Sequence, residues 1–353
     1  TGPNLFYLGA DGANIDPLAA TSLHDGGIWR EPAAEGSFMA VDLTPKPNGH
    51  GPGGTAITDH TGAPPRVVYN TDHPAPWGWR VSAYFLTKGI AAGLVIAVAM
   101  AMLFGASLDN AWMRWATPLV AGLFLALTGV LLVWDLKRPD RFHYLILKGN
   151  PGSWLVRGAW ILSAYAVALA VWFLAGVFEV DGLVEVMAWI GLPLAAATAG
   201  YTAFLFGQAE ARDLWQSPVL VYHMIAGALA AGGGMALVAS LFFEVGETTE
   251  RAFGWTLVIG AGVLGLFAFA ELTTPHPTRN IEAAMHHMTR GRFAREWWIG
   301  GQLIGVVVPV ILGAVMLAGG ATWIGAVGGL AAAAGIWFAD NAFVKAGQSV
   351  PLS

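Results

Sequence analysis

From Val81 to the C-terminal end, long apolar runs alternate with short polar loops, while the first eighty residues show no such alternation. The runs are long enough to cross a hydrocarbon core of about 30 Å, which takes roughly 20 helical residues. Breaks at Gly, Pro and charged positions delimit eight predicted spans, at about 81–105, 112–135, 154–178, 183–207, 218–243, 252–272, 296–318 and 321–343. An even number of spans returns the chain to its starting side, so odd spans begin and even spans end on one face. Pro118, Pro193 and Pro309 lie in or near span starts and predict kinks, because neighbouring helices can satisfy the freed backbone groups. Small residues in 195–200, 227–234 and 325–335 predict close helix contacts. The expected fold is an all-α integral membrane protein of eight transmembrane helices.

Residues 1–77 differ in kind, being rich in Gly, Pro, Asp and Asn, with scattered aromatics such as Phe6, Tyr7, Trp29, Phe38 and Tyr69. They predict an extended, cytoplasmic N-terminal arm that orders on a partner. No basic segment followed by an apolar run precedes it, so no signal peptide is expected within these residues.

Composition supports the membrane reading, with 12% charged residues, 16 Trp and a mean hydropathy of +0.57. There is no Cys, which rules out disulfides, cysteine-ligated zinc and cysteine-ligated iron–sulfur clusters within the chain. Any such centre sits on a partner. The net charge of −5 argues against nucleic acid as a partner. Lysine and arginine are divided unequally between the faces. The side of the termini holds eleven: Lys137, Arg138, Arg141, Lys148, Arg157, Arg212, Arg279, Arg290, Arg292, Arg295 and Lys345. The opposite short loops hold only Arg114 and Arg251, so the positive-inside rule places both termini in the cytoplasm.

Candidate chemistry gathers on the basic face. Tyr84 and Lys88 share one side of the first span, and a lysine at that depth needs either a function or a route back to the interface. Asp135 and Asp340 are its candidate partners on that face. The segment 134–144 mixes acids, bases and aromatics, and Arg157 follows just inside the third span. Such a loop suits a site that accepts an amphipathic ring and exchanges protons with it, or an interfacial belt contacting lipid phosphates. Tyr201 and Thr202, Tyr222 and His223, and Glu271 and His276 approach the same face from other spans. Of the nine His only His223 lies clearly within a span, which argues against a bis-histidine haem, and His286 with His287 reads as a solvated pair and not a metal site.

The order of 84–93 (YFLTKGIAAG), 135–142 (DLKRPDRF), 150–154 (NPGSW) with 157–160 (RGAW), Tyr201-Thr202, and 291–300 leading to Pro309 resembles the NrfD/polysulfide reductase membrane-subunit family over roughly residues 78–343. The resemblance implies two four-helix bundles, helices 1–4 in residues 78–207 and helices 5–8 with a C-terminal tail in 208–353. It implies a bacterial or archaeal cytoplasmic-membrane subunit of a respiratory oxidoreductase complex that binds no haem or iron–sulfur cluster itself. Such a subunit exchanges electrons between a ferredoxin-like iron–sulfur partner and the quinone pool, menaquinone or ubiquinone, with a catalytic partner that is often molybdopterin-dependent. Tyr84 stands where polysulfide reductase uses a histidine, and Tyr201 matches a family tyrosine. The expected catalytic residues are Asp135, Lys88 and Tyr201, the quinone contacts Tyr84, Arg141, Arg157, Tyr201 and His223, and the proton path Lys88, Asp135 and Glu271. A rival reading makes the protein a proton- or ion-translocating module without quinone chemistry, although its clear ionisable residues all lie near one face.

Overall fold

The computed structural model describes residues 77–136, 138–209 and 212–350; the arm expected over 1–77 lies almost wholly outside them. The described residues form helices and no strand. Eight helices have the length and apolar composition of membrane spans: α1 (Trp79–Leu103), α2 (Trp112–Asp135), α4 (Trp154–Val177), α5 (Asp181–Gly207), α6 (Leu220–Ala239), α7 (Glu247–Thr273), α9 (Glu296–Leu317) and α10 (Thr322–Gln348). Two short helices lie in loops on the side of Trp77, α3 (His143–Leu147) and α8 (Arg279–Thr289).

Several ends shift from their expected positions for local reasons. Helix α7 starts five residues early, at Glu247, because Gly246 takes a positive φ of 82° and Glu247 and Glu250 favour the positive end of the helix dipole. Helix α10 runs on through polar residues to Gln348. There the Gln348 amide donates to the Trp77 carbonyl (2.7 Å) and accepts from its N–H (3.0 Å), tying the two described ends together. The Arg212 guanidinium donates to the carbonyls of Gly347 (3.1 Å) and Val350 (2.9 Å), satisfying acceptors that a helix end leaves open.

The prolines act through the turns before them. Proline offers no N–H to the preceding turn. Ahead of Pro118 the residues Trp112–Ala116, and ahead of Pro309 the residues Glu296–Val307, take the wider π-helical pattern. Pro193, in contrast, is accommodated within a continuous α5.

Helices α1, α2, α4 and α5 close one ring of neighbours, α6, α7, α9 and α10 a second, and α1 joins the rings by packing along α6. Glycines set the closeness of the joins. A Cβ on Gly93 would strike the Ala228 carbonyl and Gly232, one on Gly234 would strike Gly329, and one on Gly305 would strike Gly335. The small-residue runs of α6 and α10 are therefore helix-contact surfaces. At the end away from Trp77, Arg114 pairs with Glu179 (3.9 Å) and Asp181 (2.5 Å), and Thr322 donates to Glu250 (2.7 Å).

Candidate functional site

Helix α1 carries Lys88 about 14 Å from its start at Trp79, at 1.5 Å per residue. Its side chain is only 2% exposed, so it does not reach back to the interface. The ammonium donates to the Ala199 carbonyl (2.9 Å) and to Thr202 Oγ1 (2.5 Å), both on α5, and lies 4.9 Å from the centre of the Tyr201 ring and 5.4 Å from that of Phe85. Two oxygens and two aromatic faces thus hold a cation that would be costly to bury bare. Gly158 on α4 leaves the room that the Tyr201 ring occupies, since a Cβ there would run into it. Tyr84, one turn before Lys88, is 4% exposed and lies within electrostatic range of Tyr201, Asp135 and Asp340.

Beside Lys88 a cavity of about 50 Å³ opens toward the second ring of helices, bounded by His223 of α6, Gln302 of α9 and Asp340 of α10. A neighbouring cavity of about 40 Å³ shares these three residues and reaches Glu271 at the end of α7. Gly227, Gly301, Gly305 and Gly335 line the first cavity and leave its volume open. The structure therefore places Lys88 and His223 on the first cavity and Glu271 on the second, with Tyr201 against Lys88 and Tyr84 one turn before it; neither tyrosine lines a cavity.

The remaining expected residues lie elsewhere. Asp135 is not the direct partner of Lys88; it lies 3.8 Å from Arg80, with 22% of its side chain exposed. Arg80 also covers the Trp134 ring at 4.8 Å. Arg141 is 60% exposed beside Asp140, and Arg157 is exposed, donating to the Pro151 carbonyl (2.6 Å) and covering Trp154. Arg141, in a loop, and Arg157, in the first turn of α4, lie in an outer layer, and neither lines the two cavities.

One expectation is overturned. His287 is not solvated: it is fully buried on the inner side of α8, beside Ala284 and Met288. Burial chiefly, then His286 and Arg292, push its pKa down from 6.5 to about 3. Adjacent positions on a helix point apart, and here one of the two histidines points into the protein. Gln302, absent from the expected site, was visible as the one amide inside the seventh apolar run. Asp340 was visible as an acid near the end of the eighth, and its place against the cavity came only from the packing of α10. Among the described residues, no group of three or more His, Cys, Asp or Glu is placed to hold a metal ion.

Comparison with known proteins adds a lineage to this geometry. Residues 67–351 match the family model described as "Polysulphide reductase, NrfD". A polysulfide reductase polypeptide of Wolinella succinogenes is 26% identical over 270 residues, which cover 69% of this chain and 84% of that protein. The protein NrfD homolog of Haemophilus influenzae is 23% identical over 282 residues, covering 68% and 86%. A putative dimethyl sulfoxide reductase membrane subunit of Halobacterium salinarum is 24% identical over 266 residues, covering 67% of this chain and 61% of that protein.

Proposed function

The chain belongs to the polysulphide reductase NrfD family, whose match covers most of its length, and from this premise we propose that it is the quinone-reactive membrane subunit of an oxidoreductase complex. It is a multi-pass membrane protein of a family that includes membrane subunits of reductases. In the proposed complex an iron–sulfur subunit delivers or receives the electrons, and a separate catalytic subunit handles the other substrate.

The observation that carries this reading is the buried Lys88, held by Thr202 and the Ala199 carbonyl under the Tyr201 ring. Reduction of a quinone to a quinol takes two electrons and two protons. An ammonium and a phenol side by side can each donate a hydrogen bond to a quinone oxygen, favour the charge that develops on it and pass it a proton. The cavity beside Lys88, about 50 Å³, suits water and not a ring, since ligand pockets usually measure roughly 300–1,000 Å³. The quinone ring is accordingly received by movement of the side chains around Tyr84, Phe85 and Tyr201, with Asp135 and Arg80 toward the face. Arg141 and Arg157 serve, in this reading, as outer contacts for the incoming molecule.

Tyr201→Phe keeps the ring over Lys88 and removes only the hydroxyl. In the complex purified with its partner subunits, this variant is expected to lower quinone turnover by about 10²–10⁴-fold, the usual contribution of a positioned proton donor. Turnover equal to the parent protein's, in a complex that retains all of its partners, would remove Tyr201 from the site.

A further inference from the structure

The cavity beside Lys88 and its neighbour share lining residues, and their polar groups stand at graded depths. Glu271 stands two residues from the end of α7, about 3 Å along its axis, and His223 about 5 Å into α6. Asp340 lies about 12 Å back from Gln348 and Lys88 at a comparable depth in α1. His223, Gln302 and Asp340 bound both cavities, with Glu271 at the outer end and Lys88 at the inner. A water needs roughly 10–15 Å³ of such space and two to four polar partners, so about 50 Å³ and about 40 Å³ hold a few waters each. Lys88 and Asp340 act on each other electrostatically, yet the direct hydrogen bonds of the ammonium go to α5. Their link runs through the cavity.

We propose that these cavities hold a water-bridged proton relay in which Glu271 collects protons at the face, Asp340 carries them inward and Lys88 delivers them. Each step moves one proton. The Lys88 ammonium gives its proton to the reacting oxygen and becomes an amine; the Asp340 carboxylic acid reprotonates it through water; the resulting carboxylate is refilled from Glu271. Two passages accompany the two electrons supplied by the partner subunit. The Gln302 amide cannot ionise, but it can donate to one water and accept from another, which orients the waters between the acids. The titratable groups that face Asp340 from the packed helices are Lys88 and Tyr84 of α1, His223 of α6 and Glu271 of α7. The route does not pass through Asp135, which is occupied with Arg80. It rests on reading Lys88 as the proton-delivering group of a quinone site.

The test uses the intact complex. Asp340→Asn preserves shape, and it is expected to bind a quinone-analogue inhibitor as the parent does while turning over quinone about 10²-fold more slowly, with a flattened pH profile. Asp340→Glu should recover part of the rate. A parent-like rate and pH profile in Asp340→Asn overturns the relay. A second measurement needs no quinone and no Asp340 variant beyond band assignment: infrared spectroscopy of hydrogen–deuterium exchange at the Asp340 carboxyl. Exchange slowed about tenfold or more in Glu271→Gln supports the route, and exchange at the parent rate defeats it. Should the parent complex fail to bind the analogue while this exchange still depends on Glu271, the quinone reading falls and the relay stands.

Discussion

Lys88 is stabilised by oxygens and ring faces, with the carboxyl group of Asp340 kept across a cavity. A direct buried ion pair would hold both charges fixed, and the desolvation of two ions commonly offsets what their attraction gains. In the proposed relay, water between them leaves both groups free to exchange protons. His287 illustrates the opposite use of burial, outside the spans, where the neutral form is enforced. Its pKa of about 3 in the folded protein lies below the 6.5 of an exposed histidine, so between these limits the unfolded protein binds more protons. The stability contributed by neutral His287 is complete above about pH 6.5 and is lost as pH falls toward 3. The apparent Tm in detergent is therefore expected to fall between pH 7 and pH 4, and His287→Gln should flatten that fall. An unchanged slope in the variant would assign the acid sensitivity to other groups.

At the level of elements, contact between helices depends on missing side chains. Gly93 of α1 meets the backbone of α6 at Ala228 and Gly232, and no rotamer change can relieve a clash with a carbonyl. Gly93→Val should push the two rings apart. Overpacking typically costs about 1–3 kcal/mol, and rigid backbone on the other side places this substitution at the upper end. A thermal melt of the purified protein should show a clear drop in Tm, whereas Gly122→Ala, which faces open space, should change little. The runs 227–234 and 325–335 made these surfaces legible in advance, because small residues at helical spacing are what close packing of membrane helices requires. The π-helical turns ahead of Pro118 and Pro309 were legible only as expected kinks, since a proline marks where a hydrogen bond is lost and not how the backbone recovers it.

For the molecule as a whole, the eleven-to-two distribution of Lys and Arg proposes a direction in the membrane that the packing of helices does not depend on. Ser107 and Thr248 are exposed at the end opposite Trp77. Single cysteines placed there, in a protein that has none of its own, are expected to react with an impermeant reagent added outside intact cells. Reaction only after lysis would reverse the orientation and place the compartment of Lys88 on the outer side. The direction matters for the relay, because it decides which aqueous phase supplies the protons collected at Glu271.

The pattern of the amino acids determined the class of fold, the eight spans and the face on which most basic residues gather, because burial in lipid imposes long apolar runs and expels charge to their ends. It also singled out Lys88, Tyr84, Tyr201, His223 and Glu271, since a polar or ionisable residue inside such a run stands out without any knowledge of its neighbours. Pairing was a different matter. Asp135 and Asp340 were equivalent candidates for Lys88, each an acid near the same end of a span. The rotation of each helix about its axis, set by where glycines permit contact, turned Asp340 to the cavity of Lys88 and left Asp135 with Arg80. The same packing brought Gln302 into the compartment, buried His287 and placed Arg141 and Arg157 outside it. Depth along a helix is written in the sequence by counting residues; the direction a side chain faces is decided only when the helices meet.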